Sequence, residues 1–155
     1  MQITKQFKME VAHRLTSSYS ERCQSVHGHS YLMEVTLEGE LNEDGMVMDF
    51  GELKDRMNHF FDAFDHSYVI SKYDITLPFF LGIEAQIHNR MIVVDYNPTA
   101  ENMAYHAFRA LIENDLPVAN VKVQETLTGW AVAKRLRPFI GEDITYYNIP
   151  GRNNA

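Results

Sequence analysis

The chain has 155 residues, enough for one domain with a proper core and too few for two comfortable ones. Its 45% hydrophobic and 23% charged residues exclude wholesale disorder, and a net charge of −7 speaks against coating nucleic acid or an anionic membrane. The single cysteine excludes an intramolecular disulfide, no apolar run approaches the roughly 20 residues of a membrane span, and the opening MQITKQFKMEVAHRL lacks the pattern of a signal peptide, so a reducing cytoplasm is the expected setting.

In chain order, the first expected element is a strand ending near His13, with Ile3, Phe7, Met9 and Val11 on one face. A second strand, roughly 29–40, puts Tyr31, Met33, Val35 and Leu37 on one face. Asn42-Glu43-Asp44-Gly45 reads as a turn, with Met46-Val47-Met48 as a short pairing partner. From Phe50 the apolar positions Leu53, Met57, Phe60, Phe61 and Phe64 have helical spacing. Asp49 is the expected N-cap and Glu52 its reciprocating carboxylate.

Residues 66–98 show weak periodicity, which marks a functional excursion or hidden elements. A second helix follows the N-cap Thr99, burying Met103, Ala107, Phe108, Leu111 and Ile112, and Leu116-Pro117 stops it. Strands near 119–127 and 130–136 complete an α+β domain: an antiparallel sheet of four strands with two helices on one face. The other face of such apolar strands needs cover, which a partner subunit could supply.

The sharpest chemical signal is Cys23-x3-His27-Gly28-His29-Ser30-Tyr31. Two histidines at i, i+2 on a strand point the same way, and His13 ends the neighbouring strand, so three imidazoles can converge on one ion. Three neutral imidazoles leave zinc one open position, as in a catalytic site. Each histidine could instead satisfy a buried hydrogen bond, and that plainer reading is preferred for His59, His88 and His106.

Cys23, beside Arg22 in a polar segment, is either a thiolate base or a fourth ligand closing the site. Asp65-His66 has the composition of an oriented acid/base pair, although adjacent residues rarely pair directly. Glu125 falls on the apolar parity of its strand, between Val123 and Leu127, and there it needs a partner. That partner is an arginine, backbone amides, or a ligand offering two parallel N–H donors such as a pterin or guanine.

Together these pieces resemble the 6-pyruvoyltetrahydropterin synthase superfamily. His13-Arg14-Leu15, Cys23-x3-His27-Gly28-His29, Gly45 to Lys54, Asp65-His66, Pro98-Thr99-Ala100-Glu101-Asn102 and Glu125-Thr126 occur in that family's order. The resemblance runs from about residue 3 to about 135, with 67–97 as an insert in the single domain 1–155. The three-residue Cys–His spacing and the run Glu125-Thr126-Leu127-Thr128-Gly129-Trp130-Ala131 resemble the bacterial branch, 6-carboxytetrahydropterin synthase of queuosine synthesis.

The resemblance implies the tunnelling fold, in which three four-stranded sheets close into a barrel and two barrels stack as a hexamer, with active sites between subunits. It implies a lyase acting on 7,8-dihydroneopterin triphosphate, with zinc on His13, His27 and His29 acidifying the substrate's hydroxyls. Cys23, with His66 oriented by Asp65, would move protons, and Glu125 would grip the pterin. The triphosphate would fall to bases among Arg14, Arg22, Lys54, Lys134 and Arg135. The alternatives are a 6-pyruvoyltetrahydropterin synthase, which keeps the carbon–carbon bond, and a non-catalytic subunit that binds pterin or metal.

Overall fold

The computed structural model describes residues 1–135 and 141–151 of the chain. Strand β1 (Gln2–His13) pairs antiparallel with β2 (His27–Glu38) in unbroken register, from Gln2 opposite Glu38 to His13 opposite His27. Further along, β5 (Val118–Thr126) pairs antiparallel with the other edge of β2, and β6 (Gly129–Ala133) with β5. The period-two pattern does what the sequence predicts: Met9, Val11, Tyr31, Met33, Val35, Leu37, Val121 and Val123 are all buried.

Helices α1 (Phe50–Phe64) and α3 (Ala100–Glu113) cover that face. Leu53, Met57, Phe60 and Phe64 of α1 and Met103, Ala107 and Leu111 of α3 form the buried stripes, and Phe61 stacks on Phe7 with centroids 3.7 Å apart. Asp49 caps α1 by accepting from the amides of Gly51 and Glu52, and Thr99 caps α3 by accepting from that of Asn102. The Glu52 carboxylate does not reciprocate; it faces Arg56 one turn on.

The stretch 67–97 corrects the expected four-stranded sheet. It folds as β3 (Ser67–Ser71), α2 (Leu77–Ile87) and β4 (Met91–Val94). Strand β3 lies parallel to the end of β1, β4 lies parallel to β3, and β7 (Thr145–Tyr147) closes antiparallel on β4. The sheet of the described residues is therefore mixed and seven-stranded, in the order β6-β5-β2-β1-β3-β4-β7, and open at both edges. The antiparallel four-stranded part survives as one half of it.

Helix α2 is a third helix on the opposite face, where Leu77 and Phe80 pack on Tyr68, Ile70, Met91 and Val93. Every residue of β3 and β4 is buried, so neither strand alternates polar with apolar residues, and their periodicity was bound to be weak.

Two smaller expectations also change. Met46-Val47-Met48 is not a strand. Asn42 closes the turn, its side-chain oxygen accepting from the amides of Asp44 and Met46, and Val47 and Met48 pack on the core just before the α1 cap. Gly45 takes φ +77°, which suits glycine in that turn. Strand β6 stops at Ala133, and the end of the expected 130–136 strand lies outside the described residues.

The second face of the β6-β5-β2-β1 half is largely polar, with Trp130 and Val132 left exposed on β6. Gln2 bonds Glu38, Thr4 bonds Thr36, Gln6 bonds Glu34, Lys122 pairs with Glu34, and Ser30 donates to Glu10. No helix of the described residues is long and apolar enough to cross a membrane.

Candidate active site

The register of β1 and β2 builds the site. His13 sits opposite His27 across the ladder, and His29 follows two residues on, on the same face. Gly28 between them lies close against β1: a Cβ there would meet the Val11 carbonyl oxygen at 3.1 Å, tighter than an ordinary contact. The ligating nitrogens of His13, His27 and His29 lie within 4.8 Å of one another, His13 buried and the other two half-buried. All three sequence-derived candidates thus come together.

Hydrogen bonding fixes two of the tautomers. His13 Nδ1 lies 2.7 Å from the Pro98 carbonyl, and His27 Nδ1 lies 2.8 Å from the Ser25 carbonyl. A carbonyl only accepts, so each Nδ1 carries the hydrogen and each Nε2 presents a lone pair. Those two Nε2 atoms stand 3.1 Å apart. Two lone pairs facing at that distance repel unless a cation lies between them, and ligands on a tetrahedral zinc stand about 3.3 Å apart given Zn–N bonds near 2.0 Å. Burial is the main cause holding the pKa of both His13 and His29 below the ordinary imidazole range, against the opposing pull of Glu125. Neutral imidazoles are what a metal ion requires. The donor set fits a zinc-type ion on His13, His27 and His29.

Glu125 reaches the same place. Strand β5 shifts register between Gln124 and Thr126, and this irregularity sets Glu125 off the regular ladder. Its Oε1 lies 3.6 Å from His13 Nε2, 3.9 Å from His29 Nε2 and accepts a 2.8 Å bond from the Tyr31 hydroxyl. The expected burial beside Leu127 is not observed: the Glu125 side chain is 30% exposed and Leu127 points to solvent. The carboxylate opens instead into a cavity of ≈ 340 Å³ lined by His29, Leu32, Gln124 and Leu127.

Cys23 is half-buried in the short turn Glu21–Gln24 between β1 and β2. Its carbonyl accepts from the Leu15 amide, and Asn97 pins the same connection by accepting from the Thr16 amide and donating to the Ser17 carbonyl. Its sulfur is not in the group of converging donors, so Cys23 does not close the site as a fourth ligand here.

Asp65 and His66 do pair directly, with His66 Nδ1 2.9 Å from the Asp65 carboxylate. Helix α1 ends before them, and His66 takes φ +57° as the chain turns into β3. Asp65 also accepts from the Glu10 amide at 2.8 Å. Burial pushes its carboxyl up, but the Glu10 amide, His66 and Arg90 together hold it below the usual range. The His66 side chain is 73% exposed and borders an open cavity of ≈ 430 Å³ that also touches His29 and Ser30. Among the described residues no hydrogen bond or ion pair joins Cys23, Asp65 or His66 to the histidine cluster or to Glu125 in the chain.

A family profile described as 6-pyruvoyl tetrahydropterin synthase matches residues 2–135. The chain belongs to this family. Among 6-pyruvoyl tetrahydropterin synthase family relatives, the 6-carboxy-5,6,7,8-tetrahydropterin synthase of Rickettsia bellii is 33% identical over 130 residues, covering 79% of this chain and 92% of the relative. The enzyme of the same name from Haemophilus influenzae is 27% identical over 134 residues, 83% of this chain and 94% of its own. The 6-pyruvoyl tetrahydropterin synthase structure from Caenorhabditis elegans superposes with a TM-score of 0.64 at 25% identity, covering 87% of this chain and 95% of that one. An uncharacterised protein of Wolinella succinogenes shares the fold, with a TM-score of 0.72 at 23% identity over 87% of this chain and 98% of its own.

Against this family background, sequence reasoning missed two participants. Tyr31 was assigned to the core by parity, yet the same parity (27, 29, 31) sets its hydroxyl beside the histidines. The Pro98 carbonyl is a backbone group that no side-chain motif announces; Pro98-Thr99 signalled only a helix start. Arg14 is withdrawn from the phosphate-binding candidates, because it is committed to the buried Asp74 of the 67–97 stretch. His106 is a buried histidine bonded to the Tyr96 hydroxyl at 2.6 Å, in keeping with its plainer reading.

Proposed function

We propose that the protein is a zinc-dependent lyase that converts 7,8-dihydroneopterin triphosphate and water to 6-carboxy-5,6,7,8-tetrahydropterin, acetaldehyde and triphosphate, in 7-deazaguanine (queuosine) synthesis. One observation carries the reading: the Glu125 carboxylate stands with Oε1 3.6 Å and 3.9 Å from two nitrogens of a three-histidine centre and borders a cavity of ≈ 340 Å³. A carboxylate acceptor thus stands directly beside a centre that could hold hydroxyl oxygens. The names of the bacterial relatives, and the three residues between Cys23 and His27, favour the carboxy product. The family's own description favours the second reading, a 6-pyruvoyltetrahydropterin product.

Each residue has a distinct task. Glu125 accepts from the pterin's amino and ring N–H groups and fixes the ring's orientation. His13, His27 and His29 would hold zinc, which when bound supplies Lewis-acid polarisation of the side-chain hydroxyls. Cys23, as thiolate, takes protons from the side-chain carbons, and His66, held in one tautomer by Asp65, returns them. Triphosphate departs by elimination, and cleavage between the first and second side-chain carbons releases acetaldehyde. Arg22, Lys54, Lys134 and Arg135 are exposed and available to the triphosphate. A free thiol at Cys23 persists best in a reducing compartment, and a cytoplasmic site of action is part of the same proposal.

Assembly belongs to the same proposal: a hexamer of two trimers, in which Asp65-His66 of one subunit serve the centre of another. Support comes from the exposed His66 ring and from open backbone edges at β6 and at the part of β1 before Val11, where no strand of the described residues pairs. Sedimentation at assay concentration is expected to show a hexamer; an active monomer would overturn the shared site.

Glu125→Gln replaces an acceptor oxygen with an NH₂ donor. It is expected to weaken pterin binding by roughly 1.5–3 kcal/mol, the scale of a charged hydrogen bond, with zinc content unchanged. Fluorescence titration with a non-reactive pterin measures this, and unchanged affinity would remove Glu125 as the anchor. Trapping of acetaldehyde during turnover tests the reaction itself. Stoichiometric acetaldehyde supports the carboxy reading, pterin product without acetaldehyde supports the pyruvoyl reading, and no consumption of substrate by the zinc-loaded protein sinks both.

A further inference from the structure

The connection between β1 and β2 carries Cys23 on a single short turn, outside the sheet. Inside that loop the Leu15 amide donates to the Cys23 carbonyl at 3.0 Å, and the Gln24 side chain donates to the Ser18 carbonyl at 3.2 Å, so its two limbs are joined. Asn97 ties the loop to the body of the chain. Its Oδ1 accepts from the Thr16 amide at 2.8 Å, and its Nδ2 donates to the Ser17 carbonyl at 3.1 Å. An amide N–H needs an acceptor and a carbonyl needs a donor, so the two ends of one carboxamide satisfy both. Asn97 is itself held at the start of α3: its carbonyl accepts from the Thr99 amide at 2.7 Å and from the Asn102 side chain at 2.9 Å. The next residue, Pro98, has its φ fixed by its ring, and its carbonyl holds His13 Nδ1 at 2.7 Å. One short segment therefore holds both the loop that bears the thiol and the ring of the most buried histidine.

We propose that Asn97 is a positioning residue for Cys23: its carboxamide pins the Thr16-Ser17 limb, so that the thiol keeps a fixed place relative to the histidine centre. The inference rests on the reading of Cys23 as the group that takes protons from the substrate's side-chain carbons. It adds that the base has no rigid element of its own and takes its place from the segment that orients His13. Thiol and metal centre then share one reference point, which a base working on a metal-held substrate requires.

The test is Asn97→Ala, which removes both bonds to the loop and leaves the backbone of residues 97 and 98 in place. It uses the zinc-loaded protein with dihydroneopterin triphosphate as substrate, and iodoacetamide as a thiol probe in the absence of substrate. The expected result is zinc content as in the wild type, KM within about threefold, and kcat lowered roughly 10- to 100-fold, the scale of a misplaced catalytic group. Cys23 is half-buried, so releasing its loop is expected to speed its alkylation at least about threefold. In a Cys23→Ala background, Asn97→Ala is expected to cost less than about twofold further in kcat, because its effect passes through the thiol.

Wild-type kcat in Asn97→Ala, an unchanged or slower alkylation of Cys23, or a loss that multiplies independently with that of Cys23→Ala would overturn the inference. Loss of zinc in Asn97→Ala would also overturn it, showing that the side chain supports the histidine centre rather than the thiol. Should Asn97→Ala fail to fold, Asn97→Asp, which keeps an acceptor for Thr16 and loses the donor to Ser17, carries the same measurements, and its failure to fold would make Asn97 a purely structural residue. A wild type that consumes no substrate would instead overturn the proposed function; the alkylation comparison needs no substrate and still decides whether Asn97 holds the thiol.

Discussion

His13→Ala is expected to yield folded protein without stoichiometric zinc and without turnover. His13 is the most buried of the three ligands, and its ring is doubly held: by the Pro98 carbonyl at 2.7 Å and by the β1–β2 register that faces it to His27. Without it, two half-exposed imidazoles remain, too few for the zinc sites that proteins build from three or four ligands. His27→Ala and His29→Ala are expected to behave alike. Elemental analysis of the purified variants measures the effect, and full zinc content in all three would refute the centre. Chelation of the wild type should reproduce the loss, and added zinc should restore activity to the wild type but not to His13→Ala.

Cys23→Ala is expected to lower kcat by something like 10²–10⁴-fold, the usual size of a general acid–base contribution, while zinc content and pterin affinity stay near wild type. The geometry separates this outcome from that of the histidines: the Cys23 sulfur lies outside the group of converging donors, on a turn anchored through Leu15, Thr16 and Ser17. Loss of zinc in Cys23→Ala would make the thiol a fourth ligand and remove the proton-transfer role. Single-turnover kinetics on the zinc-loaded variant separates slow chemistry from slow release.

Elements with one wet face could be read from the sequence, and elements with none could not. β1, β2, α1 and α3 expose one side, so polar and apolar residues alternate at the period of the backbone, and Asp49 and Thr99 mark the two helix starts. β3 and β4 lie between the α1/α3 face and α2, so Ser-Tyr-Val-Ile-Ser and Met-Ile-Val-Val carry no period to detect. The histidine trio was legible because strand parity alone aims it. Glu125 was legible as a carboxylate on apolar parity, but its partner was not. The irregularity in β5 breaks the parity that the expectation used, and the Tyr31 hydroxyl reaches it across strands 94 residues apart in sequence. The direct Asp65-His66 pair was legible in composition but not in geometry, because it accompanies a left-handed φ at a non-glycine residue.

Mass analysis of the pterin formed from dihydroneopterin triphosphate by the zinc-loaded protein bears most directly on the proposed chemistry. The expected product retains one side-chain carbon, as the 6-carboxylate, with free triphosphate and acetaldehyde beside it. A product retaining all three side-chain carbons, or recovery of the substrate unchanged, would contradict the assigned reaction.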